Sequence, residues 1–140
     1  MDLREVTAAD TADLRRAVLR GGRPVALSGD DQPAFHLGAY DGQLLLGTGN
    51  VRLDPAPWTD EGPAWRLRGM ATAPERRGEG VGAAVLAGLL GHCRAQAGRL
   101  LWCNARTPAQ RFYERAGLAV VGEPWDDPDI GPHVRMWLPL

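Results

Sequence analysis

Between Thr7 and Gly22 the chain reads TAADTADLRRAVLRGG, and Leu14, Ala17 and Val18 fall on one helical face. Thr7 and Asp10 stand at capping-box spacing ahead of it, and Gly21-Gly22 followed by Pro24 predicts its end. In AFHLGAYDGQLLLGTGNVRL, Asp41-Gly42 separates two apolar-rich runs, which predicts a hairpin of two antiparallel strands. The Pro-rich connection DPAPWTDEGPA leads to a strand, WRLRGMAT. From about Gly80, residues Val81, Val85, Leu89 and Cys93 recur at i, i+4 and predict a helix ending at Gly98. RLLWCN reads as a buried strand, and Thr107-Pro108-Ala109-Gln110 combines an N-cap, a first-turn proline and a capping-box glutamine. The short helix that follows turns Ala109, Phe112, Tyr113 and Ala116 inward and stops at Gly117, before the strands LAVV and HVRMWL. The order α, hairpin, β, α, β, α, β, β predicts one α/β domain over residues 1–140, a mixed sheet with helices on its faces.

Composition narrows the function classes. The 140 residues are 44% hydrophobic, enough for one ordinary core, and 16 basic against 17 acidic side chains leave a net charge of −1, which is not the footprint of a nucleic-acid binder. Cys93 and Cys103 lack metal-ligand spacing, so no metal is expected, and two cysteines suit reduced thiols in a cytoplasmic protein. No apolar run reaches the roughly 18 residues of a membrane span, and MDLREVTAAD lacks the apolar segment of a signal peptide, so no membrane partner is expected. Trp102 and Trp137 fit strand interiors, whereas Trp58 and Trp65 flank the Pro-rich connection and are the aromatic candidates for pocket walls. Gly88 and Gly91 suit a helix packed closely on the sheet.

The chemistry concentrates in PERRGEGVGAAVLAGLL, Pro74 to Leu90. Gly78, Gly80 and Gly82 remove three β-carbons just where a helix begins, so free N–H groups and the positive end of the helix dipole meet Arg76 and Arg77. The natural guest is an anion. A phosphate-binding P-loop needs Gly-Lys-Ser/Thr, and this segment has no lysine. Gly78-x-Gly80-x-x-Ala83 matches a dinucleotide fingerprint, but an acid is wanted about 20 residues on, where the chain reads Leu101-Trp102-Cys103-Asn104.

Arg77-Gly78-Glu79-Gly80-Val81-Gly82 fits the pattern Arg/Gln-x-x-Gly-x-Gly/Ala, and NARTPAQRFYERAGL fits a second signature in which Asn-x-x-Ala-x-x-x-Tyr leads through a helix to Gly-Phe. Together they make the chain closely resemble the GNAT N-acetyltransferase superfamily, strongly from Trp65 to Leu118 and by element order elsewhere. The resemblance implies a GNAT fold, a central mixed, largely antiparallel sheet of six to seven strands with helices on both faces. It implies an acetyl-CoA-dependent N-acetyltransferase that moves the acetyl group directly to a primary amine of a small molecule or peptide. A non-catalytic acyl-CoA-binding module and an acetylator of protein N-termini or lysines are the alternatives, and a homodimer is compatible with the resemblance.

Site roles follow from the same resemblance. Met70, Ala71 and Thr72 would end a splayed strand and pair with the pantetheine arm of acetyl-CoA, with the N–H of Thr72 or its neighbour polarising the thioester carbonyl. Arg77, Gly78, Glu79, Gly80, Val81 and Gly82 would wrap the pyrophosphate. The family's helix-starting asparagine falls at Arg106, with Asn104 two positions earlier, so Asn104 or Arg106 is the cofactor contact; Leu118 replaces the usual phenylalanine. Tyr113 would return a proton to the departing thiolate as general acid. Many relatives place a glutamate near the start of the central strand, but WRLRGMAT offers only Arg66 and Arg68 as polar positions. The remaining base candidates are His36, Asp30, Asp31, Glu123 and His133. His133 ranks first, because an imidazole ordinarily titrates near neutrality and this one opens the last strand on the face of Arg135 and Trp137.

Overall fold

In the computed structural model, residues 1–19 and 33–140 are described. The elements run β1 (Asp2–Val6), α1 (Ala8–Leu19), β2 (Phe35–Asp41), β3 (Leu44–Leu53), β4 (Ala64–Thr72), α2 (Val81–Ala95), β5 (Leu100–Arg106), α3 (Gln110–Arg115), β6 (Ala119–Val120), β7 (Trp125–Asp127) and β8 (Gly131–Pro139). Asp30, Asp31 and the predicted Gly21-Gly22-Pro24 stop lie outside the described residues. The strands form one sheet in the order β1-β2-β3-β4-β5-β8-β6, with β7 also on β8. Every neighbouring pair is antiparallel except β4 and β5, which are parallel. The expected mixed, largely antiparallel sheet is thus present with eight strands; β1, an edge strand, and β7, three residues long, are the ones the hydrophobic pattern does not announce.

Local chemistry explains most boundaries. Thr7 and Asp10 form the predicted capping box, the Thr7 N–H donating to Asp10 Oδ2 at 2.9 Å and the Asp10 N–H to Thr7 Oγ1 at 3.2 Å. The hairpin turns at Gly42 as predicted. The second helix ends earlier than predicted, at Ala95, because Ala97 rather than Gly98 takes the left-handed position (φ 58°). The N–H groups of Ala97 and Gly98 then donate to Arg94 O and Cys93 O at 3.0 and 2.9 Å, a Schellman ending. Gly98 is needed for packing: a Cβ there would lie 2.8 Å from the Trp65 ring. The third helix opens differently from the prediction. Thr107–Ala109 make a 3₁₀ turn and no side chain caps it, so the α-helix proper is only Gln110–Arg115.

Alternation along the strands gives the sheet two unlike faces. Leu37, Val51, Leu67, Leu101, Cys103 and Met136 point to the face covered by α2 and α3, where Val85, Leu89 and Cys93 of α2 are fully buried. Gly88 lets α2 approach Leu37 closely, as expected of a packing glycine, whereas Gly91 faces open space. On the opposite face lie α1 and a smaller apolar group in which Trp58 meets Trp102 and Trp137 edge-on, with ring centroids 6.2 and 6.0 Å apart.

Candidate active site

The parallel junction at the centre of the sheet is short. Ala64, Trp65 and Arg66 pair with Leu100, Leu101 and Trp102, and beyond them β4 and β5 diverge. A bulge in β4 sits on that divergence: Asn50 pairs with Arg68 and Thr48 with Ala71, so Gly49 alone faces both Gly69 and Met70. Gly69 takes φ 64°, and a Cβ there would lie 2.8 Å from Asn50 Nδ2, so the bulge requires glycine. The opening forms a cavity of about 270 Å³ that passes through the sheet. Tyr113, Cys103 and Met70 line it from the α2–α3 side, and Arg66, Arg68, Asn104, Arg106 and His133 from the α1 side.

Two titratable groups meet in this cavity from opposite faces. Tyr113, 8% exposed, has no hydrogen-bond partner among the described residues, and burial, followed by neighbouring Cys103, raises its phenol well above the ordinary range. The group therefore stays protonated at neutral pH. His133 is 5% exposed, although the start of a strand suggests a solvated position. Its Nδ1 lies 2.8 Å from Gly131 O, a carbonyl that can only accept, so Nδ1 donates in that contact and the tautomer it selects for the neutral ring has its lone pair on Nε2. The ring is further held against Trp125, centroids 5.6 Å apart and 25° between planes. Opposite it in the β5–β8 register, Arg106 donates from Nη2 to Leu19 O at 2.9 Å and ties the end of β5 to α1. Asn104 Oδ1 is buried without a partner among the described residues.

The glycine loop forms a second locus at the end of β4. Gly80 caps α2 in the left-handed conformation (φ 82°), and no side chain among the described residues caps the first turn, so its leading N–H groups have no side-chain acceptor there. The two loop arginines differ. Arg76 Nε lies 3.0 Å from both carboxylate oxygens of Glu79 and Nη1 lies 3.7 Å from Asp41, so its charge is spent on the loop and the hairpin. Arg77 is exposed and has no partner among the described residues. Glu79 is thus engaged by Arg76, while the Arg77 side chain faces solvent. Gly82 packs on the Phe112 ring, where a Cβ would lie 3.1 Å from Cε1 and 3.5 Å from Thr72 Oγ1, so the end of β4, the start of α2 and α3 converge.

The sequence-predicted residues therefore fall into two groups. Met70, Asn104, Arg106, Tyr113 and His133 line the cavity; Arg77, Gly78, Glu79, Gly80, Val81 and Gly82 form the helix start; Ala71 and Thr72 join them as the end of β4, paired with Thr48 and Gly47. The pocket-wall expectation for Trp58 and Trp65 is overturned. Trp58 packs on Trp102 and Trp137, and Trp65 is buried against His92 on the α2–α3 face, on the stretch of β4 still paired with β5 and so short of the divergence where the cavity opens. Glu123 is exposed and away from the cavity lining, as is half-buried His36, whose pKa is lowered by burial and by Arg15. Burial pushes the Cys93 and Cys103 thiols up to about 12, which leaves no thiolate for acyl transfer near neutrality. Sequence reasoning missed the Gly69 bulge and the concentration of arginines on one face. Arg52, Arg66, Arg68 and Arg135 carried the second signal, each at an alternate strand position.

Among the described residues no group of three or more His, Cys, Asp or Glu could hold a metal ion, and no helix is long and apolar enough to cross a membrane. The family model described as Acetyltransferase (GNAT) family matches residues 6–118. The uncharacterized N-acetyltransferase YitI of Bacillus subtilis (strain 168) is 29% identical over 145 aligned residues, covering 100% of this chain and 97% of that protein. An aminoglycoside 6'-N-acetyltransferase solved with coenzyme A superposes with a TM-score of 0.78 at 14% identity, covering 99% of this chain and 97% of that one. A GCN5-related N-acetyltransferase from Kribbella flavida gives 0.73 at 19% identity, covering 99% and 97%. These two likenesses are of fold.

Proposed function

The chain belongs to the GNAT acetyltransferase family and is an acyltransferase, and from that premise we propose that it transfers the acetyl group of acetyl-CoA directly to a primary amine of a small molecule or peptide. One observation carries this reading: the Tyr113 hydroxyl and the His133 imidazole, buried on opposite faces of the sheet, line the same cavity at the β4–β5 divergence.

The residues fit acetyl-CoA. The uncapped start of α2, the left-handed Gly80 and unpartnered Arg77 suit a pyrophosphate, and the unpaired edge of β4 beyond Arg66 suits an amide-rich arm. When bound, acetyl-CoA supplies a thioester whose carbonyl carbon accepts the amine. An alkylammonium of pKa near 10.4 must first lose a proton, at a cost of roughly 4.6 kcal/mol at pH 7. His133 Nε2 receives that proton, since the Nδ1–H bond to Gly131 O fixes the tautomer in which Nε2 is the base. Tyr113, held protonated by burial, donates a proton to the leaving sulfur, and the second proton that the nitrogen sheds as the amide forms restores the phenol. Cys103 takes no covalent part, because its thiol is protonated.

The test is release of free CoA thiol across a panel of polyamines, amino acids and peptides. Turnover with at least one amine is expected, and Tyr113→Phe, which keeps the ring and removes the donor, should lower kcat roughly 10²-fold with little change in acetyl-CoA affinity. Acetyl-CoA binding with a flat panel response would leave a binding module, and better turnover of peptides than free amines would make it a protein acetylator.

A further inference from the structure

The α1 side of the cavity is lined by basic side chains. Arg66, Arg68 and Arg106 line it together with His133, and no carboxylate lines it among the described residues. Register places them on three adjacent strands: Arg66 and Arg68 on β4, Arg106 on β5, and opposite Arg106 the His133 of β8. Arg135, one alternate position along β8 from His133, lies on the same face with its guanidinium 5.6 Å from the Trp125 ring that stacks on His133.

These cations are partly withdrawn from water and crowd one another. Arg66 Nε and Arg135 Nε are buried with no hydrogen-bond partner among the described residues. Arg66 meets Asp54 at 3.4 Å at the far end of the strand and lies 5.0 Å over the Trp102 ring, yet burial and the charges of Arg68 and Arg52 still lower its pKa. Arg15 of α1 is lowered for the same two reasons, burial and Arg68. Arg106 donates to a backbone carbonyl and meets no carboxylate among the described residues. Guanidiniums gathered in this way are stabilised by an anion that accepts from their planar forks, and a cationic guest would add to the repulsion.

Resting on the transferase reading above, we propose that the acceptor amine also carries a carboxylate or phosphate, held by the arginines of the α1 face, with its amino group toward His133. Carboxylate and phosphate share the oxygen geometry that a guanidinium fork matches. Such an anchor sets specificity in two ways. It draws the substrate in by charge, and it leaves the nitrogen as the end that reaches the divergence of β4 and β5.

Matched amines that differ only in the anion test this with the full chain. Rates of CoA-thiol release are measured for 4-aminobutyrate against butylamine, and for O-phosphoethanolamine against ethanolamine. At least one anionic member should exceed its partner at least tenfold in kcat/KM at low salt, the pair that does so telling carboxylate from phosphate, and the ratio should shrink as salt is raised. Arg66→Gln should carry the ratio toward one, while Arg66→Lys, which keeps the charge, should retain part of it. Ratios at or below one in both pairs, with turnover present, would overturn the anion site and leave the transferase reading standing. If no amine turns over but calorimetry shows 4-aminobutyrate or O-phosphoethanolamine binding that Arg66→Gln removes, the anion site stands and the transferase reading falls. Absence of both turnover and binding would overturn the proposal.

Discussion

The two faces of the sheet solve opposite problems with the same strands. On the α2–α3 face, Leu89, Val85 and Met136 are fully buried, and glycines at 47, 49 and 88 let helix and sheet close together. On the α1 face, alternate positions of those strands carry Arg66, Asn104, Arg135 and His133, and Arg66 Nε, Asn104 Oδ1 and Arg135 Nε are buried without partners among the described residues. Burying apolar surface returns about 25 cal/mol per Å², whereas a buried polar atom without a partner costs about 1–3 kcal/mol. One face therefore carries the fold, and the other holds polar groups that the described fold leaves unsatisfied.

The strongest way to break this contrast is to truncate each face in turn. Leu89→Ala removes a fully buried side chain and should cost about 2–5 kcal/mol in urea denaturation. Arg135→Met removes a half-buried charge whose Nε has no partner among the described residues, and should change stability by less than about 1 kcal/mol in either direction. Equal losses would abolish the division of labour.

A second pair of variants sharpens the view within α2. Gly88→Ala forces Leu37 to move, because the new Cβ would lie 2.5 Å from its Cδ2, and should lose about 1–3 kcal/mol. Gly91→Ala meets nothing within 4 Å and should gain up to about 1 kcal/mol from helix propensity. The two midpoints should thus move in opposite directions.

The smallest effect comes from titration on the α1 face. Burial first, and Arg15 second, lower the pKa of His36, whose Nδ1 has no partner among the described residues. The unfolded chain consequently takes up this proton more readily, so the associated stability is fully present above about pH 6.5 and is lost as pH falls toward the folded value. Urea midpoints at pH 8 and pH 5 should lie closer together in His36→Gln than in the parent. An unchanged gap would mean that His36 does not report the charge of its face.

Much of the architecture was legible because period-2 and period-3.6 patterns coincide with true burial. Val81, Val85, Leu89 and Cys93 mark the buried stripe of α2, and Asp41-Gly42 the hairpin. β1 and β7 were not legible, since an edge strand with exposed Leu3 and a three-residue strand reading Trp-Asp-Asp bury too little to leave a pattern. Within the candidate site, the loop and Tyr113 stood out through motif spacing. The depth of His133 did not, because its burial near the start of β8 depends on Trp125 from another strand. Nor did the pairing of Arg76 with Glu79 and Asp41, which distinguishes two adjacent arginines that look equivalent in sequence.

Three register pairs hold β4 to β5. To one side lie β1 to β4, and to the other β5 to β8, so the sheet is in effect two half-sheets joined along a short seam. Few ladder bonds must break for these halves to part, which makes the seam the natural border between cooperative units of local unfolding. A molecule seated in the divergence and bonded to both strand edges acts as an added rung. Binding then contributes more than its own contacts: it couples the opening of one half to that of the other, and amide protons far from the ligand exchange more slowly as the two units become one.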